Sequence, residues 1–239
     1  MSVTADRRYQ APLRVYYYRA LDAEPRIPFD EVVLFQDEHL VVADKPPFLP
    51  VTPGGKFLQE SLLVRLKRKL GIDDLAPLHR IDRGTAGLVL FSVQPQTRAV
   101  YTSLFADRAV HKRYEAIVPW CAGTSVPAVY RSRLVDDDHF MRVKEAPGEP
   151  NSETHLSVIE VRGARALLHL SPVTGRKHQL RVHCMALGVP IVDDPIYPQL
   201  PADSDDFNKP LRLLARSVAF LDPLTDAPRL FESPRRLAL

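Results

Sequence analysis

The residues of this chain best placed to do chemistry lie in the segment 79–92, which reads HRIDRGTAGLVLFS. It holds one carboxylate, Asp82, between two guanidinium groups, Arg80 and Arg83. Neighbouring cations favour the charged form of a carboxylate, and loops on a rigid scaffold commonly carry catalytic groups. An ionised Asp82 is therefore suited to act as a nucleophile or base on an anionic substrate. Asp is also common in turns for structural reasons alone, so a turn residue is the alternative interpretation.

Positive charge is clustered elsewhere in the chain in a way that fits an anionic partner. The formal net charge is only +3, but lysines and arginines concentrate at 65–69, 108–113 and 176–181, whereas acidic residues gather at 136–138 and 203–206. Segregation of charge is what a basic groove for nucleic acid requires. For any one of these clusters, a solvated surface is the alternative.

Length and composition indicate a globular protein. The chain has 239 residues, of which 45% are hydrophobic and 26% are charged, enough to bury a large core. No apolar run reaches the roughly 18 residues of a membrane span, and the N-terminus lacks the apolar core of a secretory signal. We therefore expect a cytoplasmic protein. The two cysteines, Cys121 and Cys184, belong to no C-x-x-C pair and are expected to be reduced and buried.

The elements that would position Asp82 can be predicted from hydrophobic periodicity and turn residues. Helices are expected over 59–70, 96–105 and 177–187, with Gly71 and Gly188 ending the first and third. Short β-branched and apolar runs predict the strands. These are 32–35 and 40–43 (paired as a hairpin that ends at 44–47), 88–92, 114–119, 156–161 and 166–170 (paired with each other), and 211–221 as the last strand.

The pattern of elements predicts the α+β fold class. Strands dominate and no βαβ alternation is visible, so we expect a single domain on a largely antiparallel or mixed β-sheet with flanking helices. Residues 1–29 are expected to be an N-terminal extension, and residues 30–239 the functional domain.

Cofactor and metal chemistry lack a supporting motif. The chain contains neither G-x-G-x-x-G nor G-x-x-x-x-G-K-[ST], so no nucleotide cofactor is indicated. His178, His183 and Cys184 could be considered for zinc, but the two histidines are poorly spaced for one helix face and no C-x-x-C partner exists. We expect no cofactor and no metal.

Four segments, taken in order, resemble the RluA family of RNA pseudouridine synthases. They are 33–46, 79–92, 110–116 and 170–183 with its continuation 187–197, and the similarity extends over most of the chain. The second and fourth segments are long and specific. Ala86 and Leu214 depart from the Ser and His of many members, but neither position carries the chemistry.

The resemblance implies an isomerase that converts uridine to pseudouridine in RNA. Asp82 matches the family's catalytic aspartate, Tyr114 the active-site tyrosine that contacts the target base, and Arg181 the basic residue paired with the aspartate. Arg80 matches the motif arginine, which can occupy space left by the flipped base. The other residues expected to bind RNA are Arg83, Lys112, Arg176, His178, Arg65 and Lys67. His79 is expected to be structural.

The chemistry of the reaction agrees with these roles. The N-glycosidic bond breaks, the uracil turns and C5 joins C1′, so no atoms or electrons leave and no cofactor is needed. The nucleotide must be flipped out of its stack, and stacking on an aromatic face such as Tyr114 is worth about 1–3 kcal/mol. Whether Asp82 attacks the sugar or abstracts a sugar proton stays open, as does the identity of the uridine in rRNA or tRNA.

Two other functions compete with this interpretation. The first is a catalytically inactive RNA-binding or ribosome-assembly protein with the same fold. The second is a glycoside hydrolase, which would require two paired carboxylates, whereas only Asp82 has a motif around it. We expect an active, monomeric enzyme with RNA as its partner.

Overall fold

A single mixed β-sheet organises residues 24–198 and 206–239, the parts of the chain that the computed structural model describes. The strand order is β1-β2-β4-β10-β5-β9-β8-β6-β7, with β3 paired to β4 and β11 paired to β10. The strands are β1 Val32–Gln36, β2 Leu40–Lys45, β3 Ala76–Pro77, β4 Ala86–Ser92, β5 His111–Pro119, β6 Val129–Asp136, β7 Val143–Ala146, β8 Ser152–Arg162, β9 Arg165–Pro172, β10 Leu213–Leu221 and β11 Pro228–Glu232. The helices are α1 Leu62–Leu70, α2 Pro95–Ala106 and α3 Gln179–Ala186.

The predicted fold class is confirmed. Among the described strands, β4 and β10 pair in parallel and the other neighbours pair antiparallel. The hairpins β1–β2 and β8–β9 are present as predicted. Apolar clusters cover the sheet beside α1 and beside α3. No helix in the described ranges is long and apolar enough to cross a membrane.

Two helices begin later than predicted. Just before α1, the backbone N–H groups of Gln59 and Glu60 donate to the carboxylate of Glu24. Ser61 then caps the helix, and Gly71 ends it with φ 67°. At α3, His178 adopts φ 54°, a left-handed conformation that delays the helix to Gln179.

Three other details of the prediction are wrong. The strand predicted at 211–221 is not the last, because β11 follows and pairs with β10. Pro228, the first residue of β11, argues against a strand in the sequence, although proline is tolerated at that position. The strand β2 does not stop at Ala43 but continues through the buried Asp44 and ends at the buried Lys45. Cys184 is buried as expected, whereas Cys121 is exposed.

The predicted extension and acidic segment can be compared only in part. Residues 1–23 and 199–205 lie outside the described residues. Residues 24–29 pack on the domain, since Ile27 is 2% exposed in the α1 cluster and donates its N–H to Glu60.

The register of three central strands, β4, β10 and β5, aligns three residues side by side across the sheet, next to the site. Gly87 in β4 pairs with Ala215 in β10, and Ala215 pairs with Tyr114 in β5. Gly87 has φ 107°, and a Cβ there would lie 2.8 Å from Ala215 N. Only glycine allows this backbone approach, which brings the segment preceding β4 close to Tyr114.

Candidate active site

Asp82 lies in the turn that leads into β4, and a buried lysine holds this turn. The backbone N–H of Thr85 donates to the Asp82 carbonyl at 3.1 Å. Lys45 Nζ donates to the carbonyls of Pro46, Leu49 and Arg83 at 3.0, 2.7 and 3.0 Å. Burial lowers the pKa of Lys45, while the nearby Asp82 charge opposes that shift. The bond to Arg83 connects the end of β2 to the backbone beside Asp82.

Arg181 joins two carboxylates at the base of the site. Its Nη1 donates to Asp82 Oδ2 at 3.1 Å, the pairing that the resemblance implies. Its Nε and Nη2 donate to the two oxygens of Asp194 at 2.8 and 2.7 Å. The side chains of Arg181 and Asp194 are only 3% and 1% exposed, against 24% for Asp82. Asp194 thus fixes the guanidinium, which presents its remaining edge to a more accessible Asp82.

The charge of Arg181 is well secured. Burial acts against its charge, but the hydrogen bonds and negative charges of Asp194 and Asp82 outweigh burial and raise its pKa above the usual value. Asp82 therefore has a charged guanidinium as its hydrogen-bond partner. Sequence reasoning missed Asp194, although it lies within the fourth matching segment; the backbone N–H groups of Ile196 and Tyr197 also donate to it.

His178 is close to Asp82 without bonding to it. Its Nε2 is 3.9 Å from Asp82 Oδ1, and its Nδ1 is 3.1 Å from the hydroxyl of Tyr197. Burial lowers the pKa of His178 to about 4, against the opposing effect of the Asp82 charge. The imidazole is therefore neutral near neutral pH, so a contact between His178 and RNA carries no positive charge.

Tyr114 faces the same cavity from β5. Burial, and then the negative charge of Asp82, raise the pKa of its hydroxyl above the ordinary value. Tyr114 is consequently a neutral phenol, with an aromatic ring available for stacking and a hydroxyl that can donate.

A cavity of about 860 Å³ collects most of the predicted site residues. Its lining includes the predicted residues Arg80, Asp82, Arg83, Lys112, Tyr114, Arg176, His178 and Arg181. It also includes Arg108, from the predicted basic cluster 108–113, and Thr174, which was not predicted. Arg108 belongs to the basic segment 108–113 and adopts a left-handed backbone conformation with φ 58°. No sequence pattern predicts this conformation.

Arg65 and Lys67 are not brought to this cavity. Arg65 is 13% exposed, forms ion pairs with Glu60 and Glu31, and donates to the carbonyls of Ile27 and Phe29. Lys67 Nζ donates to the carbonyl of Asp73 at 2.5 Å. Arg65 therefore has a structural position that joins residues 27–31 to α1.

The histidines considered for zinc have other partners. The Nδ1 of His183 is 2.9 Å from the Thr154 hydroxyl, and its Nε2 is 3.0 Å from that of Ser152. Within the described ranges, no group of three or more side chains is arranged to hold a metal ion. His79 packs its ring on Phe105 and accepts the N–H of Leu90 at 3.1 Å, as a structural residue would.

Comparison with known proteins gives one consistent family. The sequence model of a protein family described as RNA pseudouridylate synthase matches residues 39–186. The dual-specificity RNA pseudouridine synthase RluA of Pasteurella multocida is 30% identical over 213 residues, covering 88% of this chain and 95% of that protein. The mitochondrial tRNA pseudouridine(32) synthase of Saccharomyces cerevisiae is 31% identical over 69% of this chain and 36% of its own length. The structure of human RNA pseudouridylate synthase domain containing 4 superposes with a TM-score of 0.67 and 25% identity, covering 86% of this chain and 88% of that one.

Proposed function

The chain belongs to the RluA family of RNA pseudouridine synthases, and from that premise we propose that Asp82 is the carboxylate with which it isomerises uridines in rRNA or tRNA. The observation that carries the assignment of Asp82 is its pairing with the buried Arg181, at the base of a cavity lined by further cations. An isomerase acting on RNA needs an anionic carboxylate inside a basic cleft, and this pair supplies both requirements.

The reaction can be followed from the residues that line the cavity. The phosphates of the RNA meet Arg80, Arg83, Lys112 and Arg176, and the target nucleotide leaves its stack to enter the cavity. Tyr114 stacks on the uracil, and its hydroxyl stays protonated because burial and Asp82 raise its pKa. Both routes considered for Asp82, attack on the sugar and removal of a sugar proton, require the ionised form.

Arg181 pairs with Asp82 before the reaction starts. In either route the carboxylate is then used, as an ester with the sugar or as a carboxylic acid, and it is regenerated when the product forms. When the glycosidic bond breaks, the uracil turns between Tyr114 and the Asp82–Arg181 pair, and C5 then bonds to C1′. The proton lost from C5 is balanced by the proton gained at N1, so the product is an isomer of the substrate. Asp194 acts only through Arg181 and is a positioning residue.

An inactive RNA-binding protein is the less favoured function. Burying charged groups costs free energy even when they are paired. A protein that only binds RNA would gain nothing from burying the Arg181 guanidinium between two carboxylates. Arg181 uses three of its nitrogens in this arrangement. The same arrangement is useful to an enzyme whose reacting carboxylate needs a cationic partner at the start of each turnover.

The experiment that tests the proposal combines a gene deletion with purified enzyme. Pseudouridines are mapped across all cellular RNA with and without the gene, and RNA from the deletion strain is then treated with the wild-type enzyme or with Asp82→Asn. We expect the wild type to restore the missing pseudouridine and Asp82→Asn to restore none. Restoration by Asp82→Asn at a near wild-type rate would show that Asp82 is not the reacting carboxylate.

We also propose that the enzyme acts as a monomer in the cytoplasm. One chain supplies Asp82, Tyr114 and Arg181 to a single cavity, so catalysis requires no second copy. Sedimentation of the purified protein and fractionation of cells test these two points; a dimer, or an organellar location, would contradict them.

A further inference from the structure

A second, smaller groove continues from the catalytic cavity toward β6 and β8. It encloses about 180 Å³. Arg108, Thr174 and Arg176 line both spaces, so the groove is an extension of the cavity. The rest of its lining comes from Arg131, Pro150, Asn151, Ser152 and Glu153.

Hydrogen bonds between the two chain segments that line this groove fix its shape before any ligand binds. Arg176 Nε donates to the carbonyl of Asn151 at 3.2 Å, and the backbone N–H of Glu153 donates to the Thr174 hydroxyl at 3.0 Å. Below the groove, the Ser152 hydroxyl lies 3.0 Å from Nε2 of the fully buried His183. Two separate chain segments are thereby held at a fixed separation, which removes the entropic cost of ordering them when a ligand binds.

The lining of the groove favours phosphate over a nucleobase. Three arginines face one carboxylate, Glu153, and no aromatic side chain lines this groove among the described residues. Stacking on bases normally uses aromatic rings, whereas arginine suits the bidentate binding of phosphate. Arg131 uses its Nε to bind Glu153 at 2.8 Å, and the terminal nitrogens of the same guanidinium are the donors that such a phosphate contact uses.

We propose that this groove holds the phosphodiester of a nucleotide next to the flipped uridine and binds it through Arg131 and Arg108 without reading its base. The inference rests on the proposed function, because the continuity of the two spaces matters only if one polymer occupies both. It assigns an RNA contact to Arg131, a residue outside the catalytic cavity.

The test measures RNA affinity for two matched arginine variants. Arg131 and Arg162 are both exposed, at 58% and 67%, and each pairs with a glutamate on β8. The probe is a stem–loop RNA that contains the uridine identified by pseudouridine mapping. We expect Arg131→Ala to raise the Kd by about tenfold and to reduce the slope of log K against log salt by about 0.7, the value for one single-strand phosphate. Arg162→Ala should change neither quantity.

Neutral methylphosphonate linkages, placed one at a time around the uridine, locate the contact. At one linkage next to the uridine, the wild type should lose more affinity than Arg131→Ala does, because the variant already lacks one of the two arginine contacts. Base substitution at that nucleotide should change the Kd less than twofold, as expected for a contact to backbone alone.

Three outcomes would overturn the proposal: equal effects of Arg131→Ala and Arg162→Ala, no linkage that couples to Arg131, or strong dependence on the base. Conversion of the same RNA to pseudouridine by the wild type is measured in parallel. Failure of that conversion would count against the proposed function, whereas conversion without coupling at Arg131 would count against the groove alone.

Discussion

At the scale of single residues, the site depends on how one guanidinium is shared between two carboxylates. Asp194 is 1% exposed and binds Arg181 through both oxygens, whereas Asp82 is 24% exposed and receives one hydrogen bond. The buried Asp194 therefore determines the orientation of Arg181, and the accessible Asp82 can react.

Replacing Asp82 by Asn should abolish isomerisation while leaving RNA affinity near the wild-type value. The amide keeps the shape of the side chain but removes the charge that the chemistry requires, and the phosphate contacts are made by other residues. Single-turnover pseudouridine formation and the Kd for a substrate RNA should be measured on the same preparation. A large loss of affinity would mean that Asp82 contributes to binding.

Replacing Arg181 by Ala should cost far more activity than replacing Arg176 by Ala. Loss of Arg181 leaves Asp82 and the buried Asp194 unpaired; breaking a buried pair costs about 3–5 kcal/mol. It also removes the cationic hydrogen-bond partner of the proposed reacting carboxylate.

Arg176 is exposed and lines the cavity, so Arg176→Ala should raise the Kd and leave the single-turnover rate at saturation nearly unchanged. Urea unfolding, single-turnover rates and the Kd for a substrate RNA, measured for both variants, test the pair of expectations. Equal losses of rate would refute the special role of Arg181.

At the scale of secondary structure, the site depends on the close approach of β4 and β10. The row Gly87–Ala215–Tyr114 brings the turn before β4 within reach of β5. Lys45 at the end of β2 binds the carbonyl of Arg83 in the same turn. Two strands on either side of β4 thus fix the backbone that carries Asp82.

Gly87→Ala should destabilise the protein by at least about 2 kcal/mol, since strained backbone and overpacking each cost about 1–3 kcal/mol. The added Cβ would meet the Ala215 backbone, and φ 107° is unfavourable for alanine. Gly71→Ala is the matched control, because Gly71 also has positive φ but open space around its Cβ position. Urea unfolding of both variants measures the difference, and equal destabilisation would mean that φ alone requires glycine at position 87.

Periodicity and motifs predicted the helices and most strands, but features set by distant contacts were missed. The local sequence of 59–70 predicts a helix, yet Gln59 and Glu60 bind the distant Glu24 and the helix begins only at Leu62. Asp82 could be chosen because cations flank it in sequence. Asp194 could not, because its importance arises only when α3 brings Arg181 beside it. The basic composition of 65–69 suggests that Arg65 contacts RNA, whereas in the structure Arg65 forms ion pairs with Glu31 and Glu60.

At the scale of the whole molecule, three histidines are neutral in the folded state. Burial lowers the pKa of His178 and of His183 to about 4, and that of His79 to about 3. His79 Nε2 accepts the N–H of Leu90, a bond that protonation would break. The folded protein therefore resists taking up protons that the unfolded chain accepts below about pH 6.5.

Stability should fall as the pH decreases through the window from about 6.5 to about 4. In that window the unfolded state binds more protons, so the free energy of unfolding decreases by at most about 1.4 kcal/mol per pH unit for each histidine. The free energy of unfolding of His183→Gln should decrease less steeply with falling pH than that of the wild type, even if the variant is less stable at neutral pH. Urea midpoints at about pH 7 and about pH 5 measure the slopes. Identical slopes would mean that His183 does not contribute.

The affinity for RNA should weaken as salt increases, because cations of the protein release counterions from phosphate. Lys112 lines the cavity, whereas Lys67 binds the carbonyl of Asp73 outside it. Lys112→Ala should therefore reduce the salt dependence more than Lys67→Ala does. Titrations of one substrate RNA at several salt concentrations make the comparison. An affinity independent of salt would contradict a phosphate-binding cleft.

The position of β10 has a consequence for the newly made chain. Asp82 and Tyr114 leave the ribosome well before β10, the strand that lies between β4 and β5 in the finished sheet. Until β10 arrives, β4 and β5 each present an unpaired edge, and such edges are open to pairing with other chains. Pairing across so long a stretch of sequence is intrinsically slow. A nascent chain stalled before residue 213 would carry both residues yet be inactive and prone to aggregation, so the capacity to modify RNA arises only after β10 has been synthesised.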